Sequence, residues 1–107
     1  MTSDANSPQN QAAFDIVSRR IQEASEVLKA MASETRLKVL CALRTGELPV
    51  SELAGLTGQS ASAASQHLAK LRAAGLVESR RDGQTIYYRC SGGIGRALVD
   101  ALCEFYA

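Results

Sequence analysis

Hydrophobic residues in the N-terminal third of the chain recur with the period of an α-helix. From Phe14 onward they alternate at intervals of four and three residues, at Val17, Ile21, Ala24, Leu28 and Met31. This spacing places one apolar stripe along a helix, so the sequence predicts a first helix over 14–31. The residues before it are polar and have little to bury, which predicts a flexible N-terminal tail over 1–12.

Two further helices are predicted after Ser33. This residue is a suitable N-cap, and Gly46 a suitable end, for a second helix. The apolar side of the second helix consists of Leu37, Leu40, Cys41 and Leu43. Cys41 is therefore expected to point toward the core or to lie near it. A short third helix is expected over about 51–56, and Gly58 ends it.

A fourth helix and a β-hairpin follow. Ser60 is a good N-cap for a helix over 61–74, and Gly75 occupies its C-terminal stop position. A short helix, a tight turn and a longer helix form a helix-turn-helix. After Gly75 the apolar period changes to two, and Asp82 and Gly83 separate two runs rich in β-branched and aromatic residues. This pattern is a strong hairpin signal.

The last segment, Ile94 to Tyr106, returns to a helical period. Its apolar side consists of Ile94, Leu98, Ala101, Leu102 and Phe105. The predicted order of elements is α-α-α-α-β-β-α. The sequence therefore predicts a mainly α protein with a β-hairpin wing, a winged helix-turn-helix, in a single domain over 13–107.

The positive charge of the chain is concentrated in the predicted helix-turn-helix and hairpin. The formal net charge is only +1, but residues 60–89 carry five Lys or Arg and two Asp or Glu. A local basic excess favours a polyanionic partner, although it is also typical of a solvated charged face. Combined with the order of the elements, it predicts binding to double-stranded DNA.

Two groups of polar residues are candidates for contacts with DNA. A helix fits the major groove, where side chains in its N-terminal half reach base edges. On the fourth helix the candidates are Ser60, Ser62, Ser65, Gln66 and Lys70. Gln66 is the best candidate for contacting adenine, and Lys70 for contacting the phosphate backbone. The hairpin tip is expected to present Arg80, Arg81 and Gln84 to phosphates or to the minor groove.

The terminal helices carry more apolar surface than a core of this size requires. That surplus predicts a homodimer, because two-fold pairing presents two recognition helices to half-sites about one DNA turn apart. The alternative is that both apolar stripes cover the helix-turn-helix core. The predicted dimer contacts are Val17, Ile21, Leu28, Ile94, Leu98, Leu102 and Phe105.

Other classes of protein find less support. His67 is the only histidine and no glycine-rich phosphate loop follows a strand, so we expect no catalytic residues, no metal site and no cofactor. No apolar run approaches the roughly 20 residues of a membrane-spanning helix, and the first residues lack the pattern of a signal peptide. A cytoplasmic protein with no membrane partner is therefore expected. The three cysteines contain no Cys-x-x-Cys pair, which argues against a disulfide framework.

Two blocks of the chain resemble the ArsR/SmtB family of bacterial repressors. They are MASETRLKVLCAL and GELPVSELAGLTGQSASAASQHLAKLRAAGLVESRRDGQTIYYR, and the resemblance extends from about Ala24 to the C-terminus. It implies a homodimeric winged helix that binds an operator until an inducer ends repression. It also implies that the first and last helices supply the dimer contacts.

The metal sites of that family are not reproduced here. The stretch 47–53 matches the third-helix pattern ELCVCDL, but Pro49 and Ser51 stand where the thiols would be. The last helix offers Asp100 and Glu104 but no histidine for the family's zinc site. The resemblance therefore does not imply classical metal sensing.

The most similar branch is the persulfide-sensing SqrR/BigR type, which pairs a cysteine of the second helix with one near the end of the last helix. Cys41 matches the first position, whereas the second falls on Ala107, and Cys103 lies four residues earlier. Four residues make about one helical turn, so Cys103 returns to nearly the same face and is the expected partner. The resemblance thus implies release from DNA when reactive sulfur or oxidants modify the two thiols.

Three alternatives remain open. The first is a DNA-binding regulator without an inducer, and the second is a winged helix used for protein contacts. The third is a soft-metal or arsenic sensor with Cys90 and Cys103 as thiolate ligands. Free cysteines are also common as small buried hydrophobes, and Cys90 matches no sensing position.

Overall fold

Six α-helices and three short strands form the described part of the chain, residues 7–107 of a computed structural model. The helices are α1 (Pro8–Ser18), α2 (Ile21–Met31), α3 (Glu34–Ala42), α4 (Val50–Thr57), α5 (Ala61–Ala73) and α6 (Gly93–Tyr106). The strands are β1 (Leu48–Pro49), β2 (Val77–Asp82) and β3 (Thr85–Cys90), and a single 3-10 turn, Leu43–Thr45, follows α3. None of the helices in residues 7–107 is long and apolar enough to span a membrane. The order keeps the predicted winged helix-turn-helix and adds a helix break and a strand.

The first helix starts inside the predicted tail over 1–12. Ser7 caps it by accepting a hydrogen bond from the backbone N–H of Asn10, at 3.2 Å. Pro8 occupies the first turn, where the N–H that proline lacks would have no helical partner. These local signals extend the helix to Pro8, while residues 1–6 lie outside the described part of the chain.

The single helix predicted over 14–31 is wrong, because the chain leaves the helical conformation at Arg20. That residue has φ −121° and ψ 17°, and a new helix begins at Ile21. In α2 the buried residues are Val27 and Met31, whereas α1 buries no residue in the single chain. Both segments carry the same apolar period, so the pattern did not reveal the break.

The core lies between one face of each helix from α2 to α6 and the base of the sheet. Its buried residues are Val27, Met31, Val39, Leu40, Leu43, Leu53, Leu68, Leu71, Leu76, Val77, Tyr88 and Val99. Cys41 does not point into the core, since it is exposed, but it lies near the core beside Cys103, which packs against it. The buried pair of α3 is Val39 and Leu40. The next residue is rotated about 100° around the helix, which takes it away from the core.

The helix-turn-helix has the capping residues that the sequence predicts. Gly58 ends α4 with φ +66°, a left-handed conformation that side chains disfavour. The hydroxyl oxygen of Ser60 accepts a hydrogen bond from the backbone N–H of Ala63 at 3.1 Å and so caps α5. Leu53 of α4 and Leu68 of α5 are both completely buried. The turn and the packing together hold α5 in one orientation on the core.

The wing is a three-stranded antiparallel sheet with β3 in the middle. Its hairpin loop contains Gly83 and Gln84, because Asp82 pairs with Thr85. The predicted turn centre, Asp82 and Gly83, was therefore one residue too early. The edge strand β1 was not predicted, since it has two residues and one of them is proline, which only an edge strand tolerates.

Two helical glycines provide a test of the packing. A Cβ on Gly95 would lie 2.6 Å from Cδ2 of buried Leu76, whereas a Cβ on Gly55 would meet nothing within 4 Å. We expect Gly95→Ala to lower the free energy of unfolding by about 1–2 kcal/mol, because Leu76 must move inside the core. The control Gly55→Ala should raise it by about 0.5–1 kcal/mol. Urea unfolding measures both, and equal stabilisation by the two substitutions would contradict the tight contact.

Candidate functional site

The outer face of α5 is polar and open to solvent. Its predicted DNA contacts, Ser60, Ser62, Ser65, Gln66 and Lys70, are all exposed. The opposite face carries Ala64, Leu68 and Leu71, which are buried. Packing thus turns the polar side chains away from the protein. The hydroxyl of Ser60 accepts the capping hydrogen bond and can still donate its proton to a ligand.

The tip of the wing presents two of the three predicted residues. Gln84 lies in the two-residue loop, and Arg81 is exposed in the strand position that pairs with Ile86. No hydrogen bond or ion pair of the Arg81 guanidinium is seen among residues 7–107. Arg81 and Gln84 are therefore available for contacts outside the chain.

The prediction that Arg80 lies at the tip is wrong. It pairs with Tyr87 on the strand, and its guanidinium carbon lies 4.6 Å from the centre of the Tyr87 ring. The guanidinium Nε donates to both carboxylate oxygens of Glu47, at 2.9 and 3.0 Å. This hydrogen bond lowers the pKa of Glu47. Because Glu47 immediately precedes β1, Arg80 reaches across the middle strand and ties the two edges of the sheet together.

The two cysteines that the sequence predicts as a pair lie next to each other between α3 and α6. The Sγ atoms of Cys41 and Cys103 are 3.8 Å apart, and both thiols are free. Cys103 is half-buried and packs against the core, whereas Cys41 is exposed. A disulfide needs an S–S distance of about 2.05 Å, so a shift of less than 2 Å would let the sulfurs bond.

An ion-pair network lies beside the thiols. Arg44 donates to Oδ1 of Asp100 at 2.7 Å, and Arg96 donates to the same carboxylate at 3.1 Å. The hydrogen bond from Arg44 is the main reason that the pKa of Asp100 is lowered. The pKa of Arg44 is raised mainly by this hydrogen bond and further by an interaction with Cys103. The network therefore joins the end of α3 to α6 and places a cation near the thiols.

The surroundings of Cys41 disfavour its thiolate. Partial burial of the sulfur raises the pKa of Cys41, and so does the hydrogen bond with Cys103. The positive charge of Arg44 acts in the opposite direction, but the net shift is upward. Because the thiolate is the reactive form of a cysteine, this shift favours the unreactive thiol of Cys41 at neutral pH.

The remaining candidate residues, His67 and Cys90, contact other parts of the protein. Nδ1 of His67 lies 3.4 Å from a guanidinium nitrogen of Arg36. Cys90 is half-buried with its Sγ 3.8 Å from the carbonyl oxygen of Leu40, and burial raises its pKa. Within residues 7–107 we find no cluster of three or more His, Cys, Asp or Glu suited to a metal ion. The soft-metal alternative therefore has no ligand cluster in the described part of a single chain.

The predicted dimer contacts lie mainly on the surface of the single chain. Six of them are exposed, namely Val17, Ile21, Leu28, Ile94, Leu102 and Phe105. The seventh, Leu98, is half-buried and packs against the core. Exposed apolar side chains thus lie along α1, α2 and α6.

Comparison with known proteins relates this geometry to one family. Residues 33–79 match the family described as "Bacterial regulatory protein, arsR family". The transcriptional activator HlyU of Vibrio cholerae is 45% identical over 84 residues, which are 78% of each chain. The structure of reduced HlyU from that organism superimposes with a TM-score of 0.81 at 40% identity and covers 88% of this chain and 98% of that one.

Two further structures extend the comparison. The transcriptional repressor BigR from Xylella fastidiosa superimposes with a TM-score of 0.79 at 33% identity over 87% of this chain and 95% of its own. A homodimeric winged helix-turn-helix DNA-binding domain from Mycobacterium bovis gives a TM-score of 0.74 at 32% identity, over 96% and 90% of the two chains. The chain thus belongs to the ArsR family of bacterial transcriptional regulators, DNA-binding proteins with a winged helix-turn-helix.

Proposed function

We propose that the chain is a homodimeric repressor that binds operator DNA and releases it when a sulfur bridge joins Cys41 to Cys103. The separation of 3.8 Å between the two Sγ atoms carries the sensing part of this proposal. The sulfurs come from residues 62 positions apart, and α3 and α6 bring them into contact across the surface of the core. The two thiols are therefore close enough for an inducer that reacts with thiols to join them by a bridge.

DNA binding rests on the two exposed groups of polar residues. The N-terminal half of α5 enters the major groove, where Gln66 contacts a base and the serines contact phosphates or base edges. Lys70 lies further along α5 and contacts the phosphate backbone. Arg81 and Gln84 reach the neighbouring backbone or minor groove from the wing tip. Arg80 supports the wing through Glu47 rather than contacting DNA directly.

Homodimer formation rests on the apolar surface of α1, α2 and α6. Large exposed side chains such as Phe14, Val17 and Phe105 are 67%, 51% and 80% exposed in the single chain. Monomeric proteins rarely expose extended apolar patches of this kind. The similar domain from Mycobacterium bovis is described as homodimeric. Pairing through these helices buries the patch and presents two copies of α5 and the wing.

The proposed reaction uses an inorganic polysulfide as the oxidant. A thiolate of the pair attacks a terminal sulfur of the polysulfide, so one S–S bond breaks, a shorter sulfide leaves and a protein persulfide forms. The second thiolate then attacks the inner sulfur of the persulfide and expels hydrosulfide, which leaves a disulfide. If both thiols are first persulfidated, attack of one persulfide on the inner sulfur of the other retains one extra sulfur in the bridge.

The bridge acts on DNA binding through the position of its two anchors. Cys41 lies on α3, which packs against both α4 and α5 of the helix-turn-helix. Cys103 lies on α6, whose apolar side belongs to the proposed dimer surface. Closing the gap of 3.8 Å, or filling it with sulfur, shifts α6 relative to α3. The two recognition helices of the dimer then no longer match the spacing of the operator.

The DNA contacts are tested by substitutions on α5 and on the wing. Gln66→Ala should lower the preference for one base pair by about 1–3 kcal/mol, because a base contact is lost. Arg81→Ala should weaken binding to all sequences and reduce the slope of log K against log salt by about 1. Titration of operator fragments at several salt concentrations measures both effects. Arg19→Ala, directly after α1, is the charge-matched control, and an equal loss with this variant would contradict the proposed surface.

The thiol switch is tested by exposing the reduced protein to inorganic polysulfide. We expect an intact mass that shows loss of two hydrogens, with or without one added sulfur, and weaker operator binding. Peptide mapping should link Cys41 to Cys103. Cys41→Ser and Cys103→Ser should stay bound to DNA, whereas the control Cys90→Ser should respond like the natural protein. Unchanged affinity with no such link would favour a regulator without an inducer.

The raised pKa of Cys41 predicts the pH dependence of its reactivity. Only the thiolate reacts, so its alkylation rate with iodoacetamide should still increase above pH 9.0, the ordinary value of the thiol pKa. Cys103→Ala removes one hydrogen bond and one charge that raise this pKa, so Cys41 should react faster at pH 8 in the variant. Mass mapping of Cys41 gives both rates. A rate that levels off below pH 9 in the natural protein would disagree with this account.

A further inference from the structure

A cavity of about 560 Å³ opens where the end of α3, the sheet and α6 meet. Four arginines line it, namely Arg44, Arg80, Arg89 and Arg96, together with Glu47 and Cys90. A guanidinium group presents several N–H donors in a plane and suits small anions. The composition of the wall therefore indicates an anionic occupant.

The arginines differ in how many of their guanidinium nitrogens already donate to carboxylates of the protein. Arg80 is held by Glu47 on two of its nitrogens. Arg44 and Arg96 each donate to Asp100 through Nε, and Arg89 donates to Glu78 through one terminal nitrogen at 3.3 Å. The terminal nitrogens of Arg44 and Arg96 are thus left for a ligand, as is most of the Arg89 guanidinium. Four carboxylates pair with the four arginines, namely Glu47, Glu78, Asp82 and Asp100. Only Glu47 lines the cavity, so positive groups outnumber negative groups in its wall.

Arg44 connects this cavity to the thiol pair. Arg44 lines the cavity, follows Cys41 by three residues, and donates to Asp100, which precedes Cys103 by three residues on α6. Cys103 in turn lies 3.8 Å from the sulfur of Cys41. The ion pair of Arg44 with Asp100 therefore lies about one helical turn from both cysteines, and Arg44 places the cavity beside the thiol pair.

We propose that this arginine-lined cavity binds a small anionic sulfur compound, such as an inorganic polysulfide, and delivers it to Cys41 and Cys103. This inference rests on the proposed thiol switch, which supplies the reaction. It adds that the cavity selects the reagent by its negative charge. The bridge forms through the steps given above, and the expelled hydrosulfide carries away the negative charge. The cavity thus makes the switch respond faster to anionic sulfur donors than to neutral oxidants.

The test compares an anionic and a neutral oxidant on the full chain. Inorganic polysulfide is the anionic reagent, and diamide is the neutral one, which takes up two electrons and two protons as it oxidises the thiols. Arg89→Gln removes a charge from the cavity without breaking the network of Arg44 and Asp100. Arg89→Lys retains the charge, and Arg72→Gln on α5 is the charge-matched control. The rate of Cys41–Cys103 bridge formation is followed by intact mass.

We expect Arg89→Gln to slow the reaction with polysulfide by about threefold or more, because the local concentration of the anion falls. The diamide rate should stay within about 1.5-fold, and Arg89→Lys should restore most of the polysulfide rate. Added salt should slow only the polysulfide reaction. Equal slowing with both oxidants, or no slowing with either, would overturn the inference. If neither oxidant forms the bridge in the natural protein, the thiol switch itself fails instead.

Discussion

The packing of α6 against α3 is the interaction on which the rest of the structure depends. Val99 is completely buried and fixes α6 on the core. Cys103 lies one turn further along the same helix, so the burial of Val99 also places its sulfur beside Cys41. Asp100 directly follows Val99 and accepts a hydrogen bond from Arg44, which lies just after α3. One apolar anchor therefore positions both the thiols and the charges around them.

This arrangement separates the roles of neighbouring surfaces. The buried face of α5 attaches this helix to the core, while its polar face is exposed and forms the proposed contact surface for DNA. The ion pair of Arg80 with Glu47 joins the outer strand of the wing to the segment before β1. In the proposed mechanism, chemistry at the contact between α3 and α6 is transmitted to these DNA-binding elements because the core between them is closely packed.

Local signals in the sequence were sufficient for the winged helix-turn-helix. The signals that predict it lie within a few residues of each other, namely Gly58, Ser60 and the alternating pattern of the strands. The structure has the predicted helix α5 and hairpin. The strand β1 and the ion pair of Arg80 with Glu47 were missed because they join residues that are distant along the chain. The break at Arg20 was missed because it keeps the apolar period.

The thiol pair could be predicted from the sequence only in part. The family resemblance and the helical period put Cys103 on a suitable face, but the separation of the sulfurs depends on how closely α6 packs against α3. Likewise, the sequence shows arginines scattered from 44 to 96, and only the fold collects them around one cavity. Chemistry that is assembled from distant segments requires the three-dimensional packing before it can be described.

The most direct test of the central claim is the distance between the two α5 helices of the dimer, determined from crystal structures of the reduced and the bridged protein. We expect a two-fold dimer whose reduced form spaces these helices by about one DNA turn, roughly 34 Å. In the bridged form the spacing or tilt should depart from this value. A monomer, or a dimer with the same α5 geometry in both states, would contradict the account.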